Sequence, residues 1–185
     1  MDWQLPGTVL KLPREDAARV EEIFSTMFLA GGLVLSQVSE LTGLEPHTVQ
    51  NWVKRGFLSP PERKRYSLRQ LCRILNINAF KGILSMDRIC GMLRYVNGKL
   101  DDYSDDIIDD SKLYFMFVGL AARIRELSDE QAYEKSMKAV LEEYNETVVG
   151  NRERVETVLR IMLTAYAAAR MQQQAENMLS EIERS

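Results

Sequence analysis

Residues 36–67 read Ser36-Gln37-Val38-Ser39-Glu40-Leu41-Thr42-Gly43-Leu44-Glu45-Pro46-His47-Thr48-Val49-Gln50-Asn51-Trp52-Val53-Lys54-Arg55-Gly56-Phe57-Leu58-Ser59-Pro60-Pro61-Glu62-Arg63-Lys64-Arg65-Tyr66-Ser67. The first eight residues predict a short helix stopped by Gly43. Pro46 then occupies the first position of a second helix, where its missing N–H costs nothing. That helix runs to Arg55 and closes at Gly56. Val49, Trp52 and Val53 fall at i, i+3 and i+4 and face the first helix. His47, Gln50, Asn51 and Lys54 remain on the opposite, wet face. Two short helices joined by a glycine-containing turn form a helix-turn-helix.

Phe57 to Tyr66 is too proline-rich for a helix. It reads as a short β-ribbon or wing whose tip carries Arg63, Lys64 and Arg65. Ser67-Leu68-Arg69-Gln70 is a capping box, so a further helix spans Leu68 to about Phe80 and ends at Gly82. Ser85-Met86-Asp87-Arg88 opens another, Met86 to Val96, before a turn at Asn97-Gly98.

Upstream, residues 1–13 hold Pro6, Gly7 and Pro13 and read as an extended arm. Arg14 to Ala30 is helical, and Gly31-Gly32 ends it. Downstream, Asp101 to Asp110 is an acidic linker and the clearest boundary in the chain. It reads as solvated; folding back over the basic head or binding a metal are the alternatives. The divisions expected are an arm and helix at 1–31, a head at 32–99, and a helical dimerisation or regulatory region at 100–185. In that last region Lys112 to Leu127 is apolar almost all round and predicts a buried helix. Ser128 to Gln131 is a second capping box, starting a helix that lasts to about Thr147. Gly150-Asn151 breaks it. Arg152 to about Ile182 carries Val155, Val158, Leu159, Met162, Tyr166 and Ala169 along one stripe. A rod of about 45 Å exceeds what one small core needs, so a partner helix is the expected consumer of the stripe. Met162, Met171 and Met178 read as interface packing.

The 185 residues, 45% apolar, suit one domain or a small domain with a helical appendage. Two cysteines and one histidine exclude a disulfide scaffold and a Cys/His zinc finger. Cys72 and Cys90 lie beside apolar neighbours and read as buried thiols, with redox sensing as the alternative. The apolar stretch Ile23 to Leu35 is too short and too interrupted to span a bilayer. No targeting segment is visible, so the cytoplasm is the expected compartment. The net charge of -3 hides an asymmetry. Between Ser36 and Lys99, eleven basic residues meet four acids, giving +7, while the rest of the chain carries -10. A basic block in an acidic chain is a footprint for a polyanion, or else simply a basic surface. Nucleotide-loop, serine-hydrolase and metalloprotease signatures are all absent. The expectation is therefore a non-enzyme without metal or cofactor.

Thr48-Val49-Gln50-Asn51-Trp52, then Gly56-Phe57-Leu58-Ser59-Pro60, then Arg65-Tyr66-Ser67 with Leu71, resembles the winged helix-turn-helix of the MerR regulators and of the shorter excisionase heads. The resemblance covers about residues 33–96. Together with the Ser-Asp-Asp-Ile-Ile-Asp-Asp segment and helical tail, the head is similar to an uncharacterised bacterial family, domain of unknown function eighteen-thirty-six. The MerR resemblance implies a mainly α fold: a winged helix-turn-helix head with a short β-wing, then an all-α tail. It implies that the second helix enters the major groove with Gln50 and Asn51 facing DNA. Arg63, Lys64 and Arg65 would grip phosphates or the adjacent minor groove, and Tyr66 would pin the wing base or contact a phosphate. The sequence departs from the pattern at Glu45, where Ser or Thr is the usual cap, and at Gln50, where arginine is usual. Its wing is also shorter.

The residues argue the same way on chemical grounds. Gln and Asn on a groove-facing helix can make bidentate contacts to adenine, while Lys and Arg mainly supply salt-sensitive affinity. The DNA-binding set expected is His47, Thr48, Gln50, Asn51, Lys54, Arg55, Arg63, Lys64, Arg65 and Tyr66. One head buries too little surface for tight binding, so a homodimer through the last helix is expected on double-stranded DNA. The leading expectation is a sequence-specific transcriptional regulator. The alternatives are a protein-interaction adaptor that kept the fold without reading DNA, and an excisionase-like architectural binder.

Overall fold

Pro6-Gly7 turns the start of the chain back on itself, so that Asp2–Gln4 (β1) and Lys11–Pro13 (β2) pair antiparallel with Trp3 opposite Leu12. The computed structural model describes residues 2–100, 102–123, 129–146 and 148–184. The expected extended arm is thus a hairpin, and it is packed rather than loose. Gly7 has φ +74°, and a Cβ there would lie 2.2 Å from the Leu75 carbonyl oxygen, so only glycine fits. Trp3 and Leu5 are buried. Trp3 Nε1–H donates to the Tyr166 hydroxyl at 2.7 Å, and the Tyr114 hydroxyl donates to the Pro6 carbonyl at 2.9 Å.

After β2 the chain winds as a 3-10 helix over Arg14–Arg19 and then as α1, Val20–Met27. The α-helix is shorter than the Arg14–Ala30 expected, because its first six residues take the tighter winding and its end frays before Gly31. Leu33–Val34 (β3) leads into α2, Leu35–Thr42, which Gly43 ends in a left-handed conformation at φ +69°. Next come α3, Pro46–Lys54, and β4, Arg65–Tyr66, paired antiparallel to β3. Ser67 caps α4, Leu68–Phe80. Its Oγ accepts the Gln70 N–H and Gln70 Oε1 accepts the Ser67 N–H, as the capping box predicts. Then follow α5, Met86–Asn97; α6, Asp110–Arg123; α7, Glu130–Glu142; and α8, Asn151–Glu183. The described chain is mainly helical with two small two-stranded sheets.

α6 lies at the centre, packed against α4 and α8. Leu113, Tyr114, Phe117, Val118 and Leu120 are fully buried, as its all-round apolarity predicts. Phe117 meets Phe80 of α4 at 5.4 Å and Tyr166 of α8 at 5.7 Å between ring centroids. Tyr114 stacks on Phe24 of α1 at 6.0 Å. Each such ring or leucine contributes about 1.5–3 kcal/mol by leaving water. Cys72 and Cys90 are buried free thiols within this core, and burial raises the Cys72 thiol well above its ordinary value.

Three expectations for the C-terminal half change. First, the acidic segment is solvated only in its first half, where Asp102, Ser104 and Asp105 are exposed; Asp106 to Asp110 folds back onto the head, the alternative considered above. Arg69 pairs with Asp106, Asp109 and Asp110, and Arg73 pairs with Asp110 at 3.4 Å. Two arginines one helical turn apart on α4 meet three aspartates, of which Asp106 and Asp110 repeat the same four-residue offset. Second, Asp109 rather than Ser111 caps α6, accepting the Ser111 N–H at 2.7 Å. Third, the apolar stripe of α8 does not await a partner along its whole length. Val155, Val158, Leu159, Met162 and Leu163 are buried in this chain's own core. From Arg170 onward the helix is almost wholly exposed, with Met171 and Ile182 each 72% accessible. The expected cap at Ser128, the 124–127 end of the preceding helix, and Thr147 lie outside the described residues. Asp129 caps α7 by accepting the Ala132 N–H at 3.0 Å, and α7 ends at Glu142. Among the described residues, no helix is long and apolar enough to cross a membrane.

Candidate functional site

The turn between α2 and α3 is built by local polar bonds. Thr42 Oγ1 donates to the Val38 carbonyl at 2.7 Å and accepts the Leu44 N–H at 3.2 Å. Glu45 stands at the N-cap of α3 without a side-chain capping bond, and Pro46 is at the first helical position. α3 buries Val49 and Trp52 against its neighbours. Helical spacing then leaves His47, Gln50, Asn51, Lys54 and Arg55 exposed and Thr48 half-buried.

The chain from α3 to β4 is fastened from below by α4. The Gln70 amide donates to the carbonyls of Ser59 and Pro60 at 3.1 and 2.9 Å, and Arg73 Nε donates to the Phe57 carbonyl at 2.9 Å. Glu62 and Arg65 form a bridge, closed by the Arg65 N–H to the Glu62 carbonyl at 2.8 Å. Arg63 and Lys64 are the two residues at its tip, with φ +47° and +64°. Two successive left-handed residues are the signature of a tight hairpin turn normally built from Asn and Gly. Here two cations hold that conformation at a steric cost.

Between α3 and the hairpin runs a groove of about 750 Å³. Gln50 and Lys54 line it from α3, Lys64 and Pro61 from the hairpin, and Ser36 from the start of α2. The structure therefore brings Gln50, Lys54 and Lys64 to one place. Asn51, His47, Arg55 and Arg63 are exposed but do not line the groove. Arg65 lies in the strand rather than at the tip, and its guanidinium donates to the Gly32 and Gly31 carbonyls at 2.9 and 3.3 Å. Tyr66 is 2% exposed, which places it at the base of the hairpin, and burial raises its phenol above the ordinary value. The Arg55 guanidinium lies 4.5 Å from the Phe57 ring centroid.

Sequence reasoning missed Ser36, and it missed that Arg69 and Arg73 serve the acidic segment. The matching four-residue spacings 69/73 and 106/110 are the signal that could have found the pairing. Asp110 is almost fully buried, and burial raises its carboxyl from 3.8 to about 6 against the pull of Arg73 and Arg69. The long contacts, 3.4 and 3.9 Å, explain why desolvation wins. Among the described residues, no group of three or more His, Cys, Asp or Glu is placed to hold a metal ion.

A family model described as "Domain of unknown function (DUF1836)" matches residues 25–117, just over half of the chain. The match runs from α1 through the hairpin and the acidic segment into α6. A protein of Bacillus subtilis (strain 168) described as "Uncharacterized protein YkrK" is 33% identical over 84 residues, which is 43% of this chain and 36% of that protein. The chain thus spans about a third of that relative's length. No solved structure matches.

Proposed function

The chain belongs to the DUF1836 family, and we propose that it is a homodimeric, sequence-specific DNA-binding regulator acting in the cytoplasm, without enzymatic activity. Its head is read as a MerR-like winged helix-turn-helix, with α3 as the recognition helix and the Glu62–Arg65 hairpin as the wing. The observation that carries this reading is the shared groove: Gln50 and Lys54 of α3 face it together with Lys64 of the hairpin. A helix and a cationic hairpin bordering one groove can address a major groove and its flanking phosphates together. Gln50 and Asn51 supply base recognition. Lys54, Arg55, Arg63 and Lys64 supply phosphate affinity. Arg65 acts chiefly by fastening the strand, and Tyr66 by filling its base.

The exposed end of α8 supports the dimer. Met171, Ala175, Met178 and Ile182 recur at four- and three-residue steps, the spacing of a coiled-coil seam, and all four are exposed. Pairing there would set two heads on two half-sites.

Affinity for random duplex DNA against salt tests the reading. Four phosphate-directed cations per head predict a log–log slope of about -3.6 per head. Absence of binding at every salt concentration would refute it. One observation favours the second reading, a protein-interaction adaptor: Arg65, Arg69 and Arg73 of the basic block are already engaged within the chain.

A further inference from the structure

A second cleft, of about 1120 Å³, opens on the face where the N-terminal hairpin, the α2–α3 turn, the end of α4 and α8 meet. Its volume is a little above the usual range for small-molecule sites, about 300–1,000 Å³, so a ligand would fill part of it. Arg14, Lys81 and Arg170 line it, and Glu15 is the one carboxylate among its described lining residues. That leaves two surplus positive charges inside a chain whose net charge is -3. Partial burial lowers the Lys81 ammonium from its ordinary value, while the residue as a whole stays exposed to an arriving anion.

One wall is aromatic and rigid. Trp3 and Tyr166, one from each end of the fold, are locked together by their 2.7 Å hydrogen bond, and the Arg170 guanidinium lies 5.9 Å from the Tyr166 ring centroid. The opposite wall is the turn itself: Asn78 donates to the Gly7 carbonyl at 2.8 Å and the Thr42 carbonyl at 3.0 Å, tying the hairpin loop to the α2–α3 connection. The cleft is thus a preformed space whose aromatic wall itself carries cations, with the Arg14 guanidinium 5.1 Å from the Trp3 ring centroid and Arg170 beside Tyr166.

We propose that this cleft binds a small organic anion, its carboxylate or phosphate group meeting Lys81 and Arg170 and its planar part lying against the Trp3–Tyr166 pair.

The chain has two tryptophans, Trp3 in the cleft and Trp52 in the α3 core, and Trp52 serves as an internal control. The 185-residue chain carrying 5-fluorotryptophan is titrated with indole-3-acetate, phenyl phosphate and adenosine monophosphate, followed by fluorine NMR. Indole-3-acetamide, phenol and adenosine are the neutral counterparts. The expected result is a saturable shift of the Trp3 resonance with a Kd below about 1 mM for at least one acid, with Trp52 unmoved and the neutral counterparts silent. Lys81→Met with Arg170→Met, both surface changes, should weaken that binding at least about tenfold while leaving the thermal midpoint unchanged. A Trp3 resonance unmoved by all three acids up to about 10 mM would overturn the proposal. So would an equal response to the neutral counterparts, or a response that survives in the double variant.

Discussion

Replacing Arg63 by Asn and Lys64 by Gly should make the protein more stable and a poorer DNA binder at once. Both residues sit at positive φ, +47° and +64°, in a two-residue turn closed by the Glu62–Arg65 bridge. A side chain beyond glycine in that region costs about 1–2 kcal/mol per residue, which Asn lessens and Gly abolishes. Glycine returns up to about 1 kcal/mol through the greater freedom it gives the unfolded chain. The net gain is about 1–2 kcal/mol, or roughly 2–8 °C in thermal midpoint for a chain of this size. Two cations are lost with the strain, so the salt slope of DNA binding should shrink by about 1.8 per head. Arg63→Ala with Lys64→Ala removes the same charges but keeps the strained turn. It should lose affinity equally and gain no stability. Calorimetry and a salt titration on the three proteins read both effects. A midpoint that fell in the Asn-Gly protein would refute the strain, and an unchanged salt slope would refute the phosphate role of the hairpin tip.

Other consequences can be measured independently. Asp110→Asn should gain stability relative to the parent as pH rises. The folded carboxyl titrates near 6 against 3.8 when ordinary, so the parent's contribution from this group is complete below about pH 4 and is lost as pH rises through 6. The difference is on the order of 3 kcal/mol, and thermal midpoints at pH 4 and 7.5 that moved in parallel would contradict it. Asn51→Ala should relax preference at one base pair by about 1–3 kcal/mol, whereas Lys54→Ala should weaken all duplexes alike; equal losses across all sequences from both would displace α3 from the groove. Met178→Glu with Ile182→Glu, in the exposed end of α8, should yield monomers by light scattering with the thermal midpoint of the folded chain retained, and a persisting dimer would move the interface elsewhere.

The head was legible because local signals dominate there. Gly43, Pro46, the Ser67–Gln70 box and the spacing of Val49, Trp52 and Val53 each act within one or two helical turns, and the elements fall where those residues place them. The surface set of α3 followed directly from the buried set. The C-terminal half was less legible because its decisive contacts are distant in sequence. Arg69 with Asp106, Phe80 with Phe117, and Trp3 with Tyr166 join residues 37 to 163 positions apart, and periodicity alone does not say which apolar stripe meets which. The stripe of α8 was read correctly as apolar, but its first half turned out to belong to this chain. The role of Arg65 was obscured for a related reason: a run of three basic residues looks uniform until the strand register directs one of them to the Gly31 and Gly32 carbonyls.

The indole of residue 3 finds its hydroxyl partner only at residue 166. During synthesis at roughly 5–20 residues per second, the leading hairpin therefore emerges about 8–33 s before the helix that completes its seat. Through that interval Trp3 and the sides of α4 and α6 that face α8 have no permanent cover. A nascent chain of this protein should consequently engage holding chaperones until translation has passed α8, and a ribosome stalled before Tyr166 should present a protease-sensitive β1–β2 hairpin.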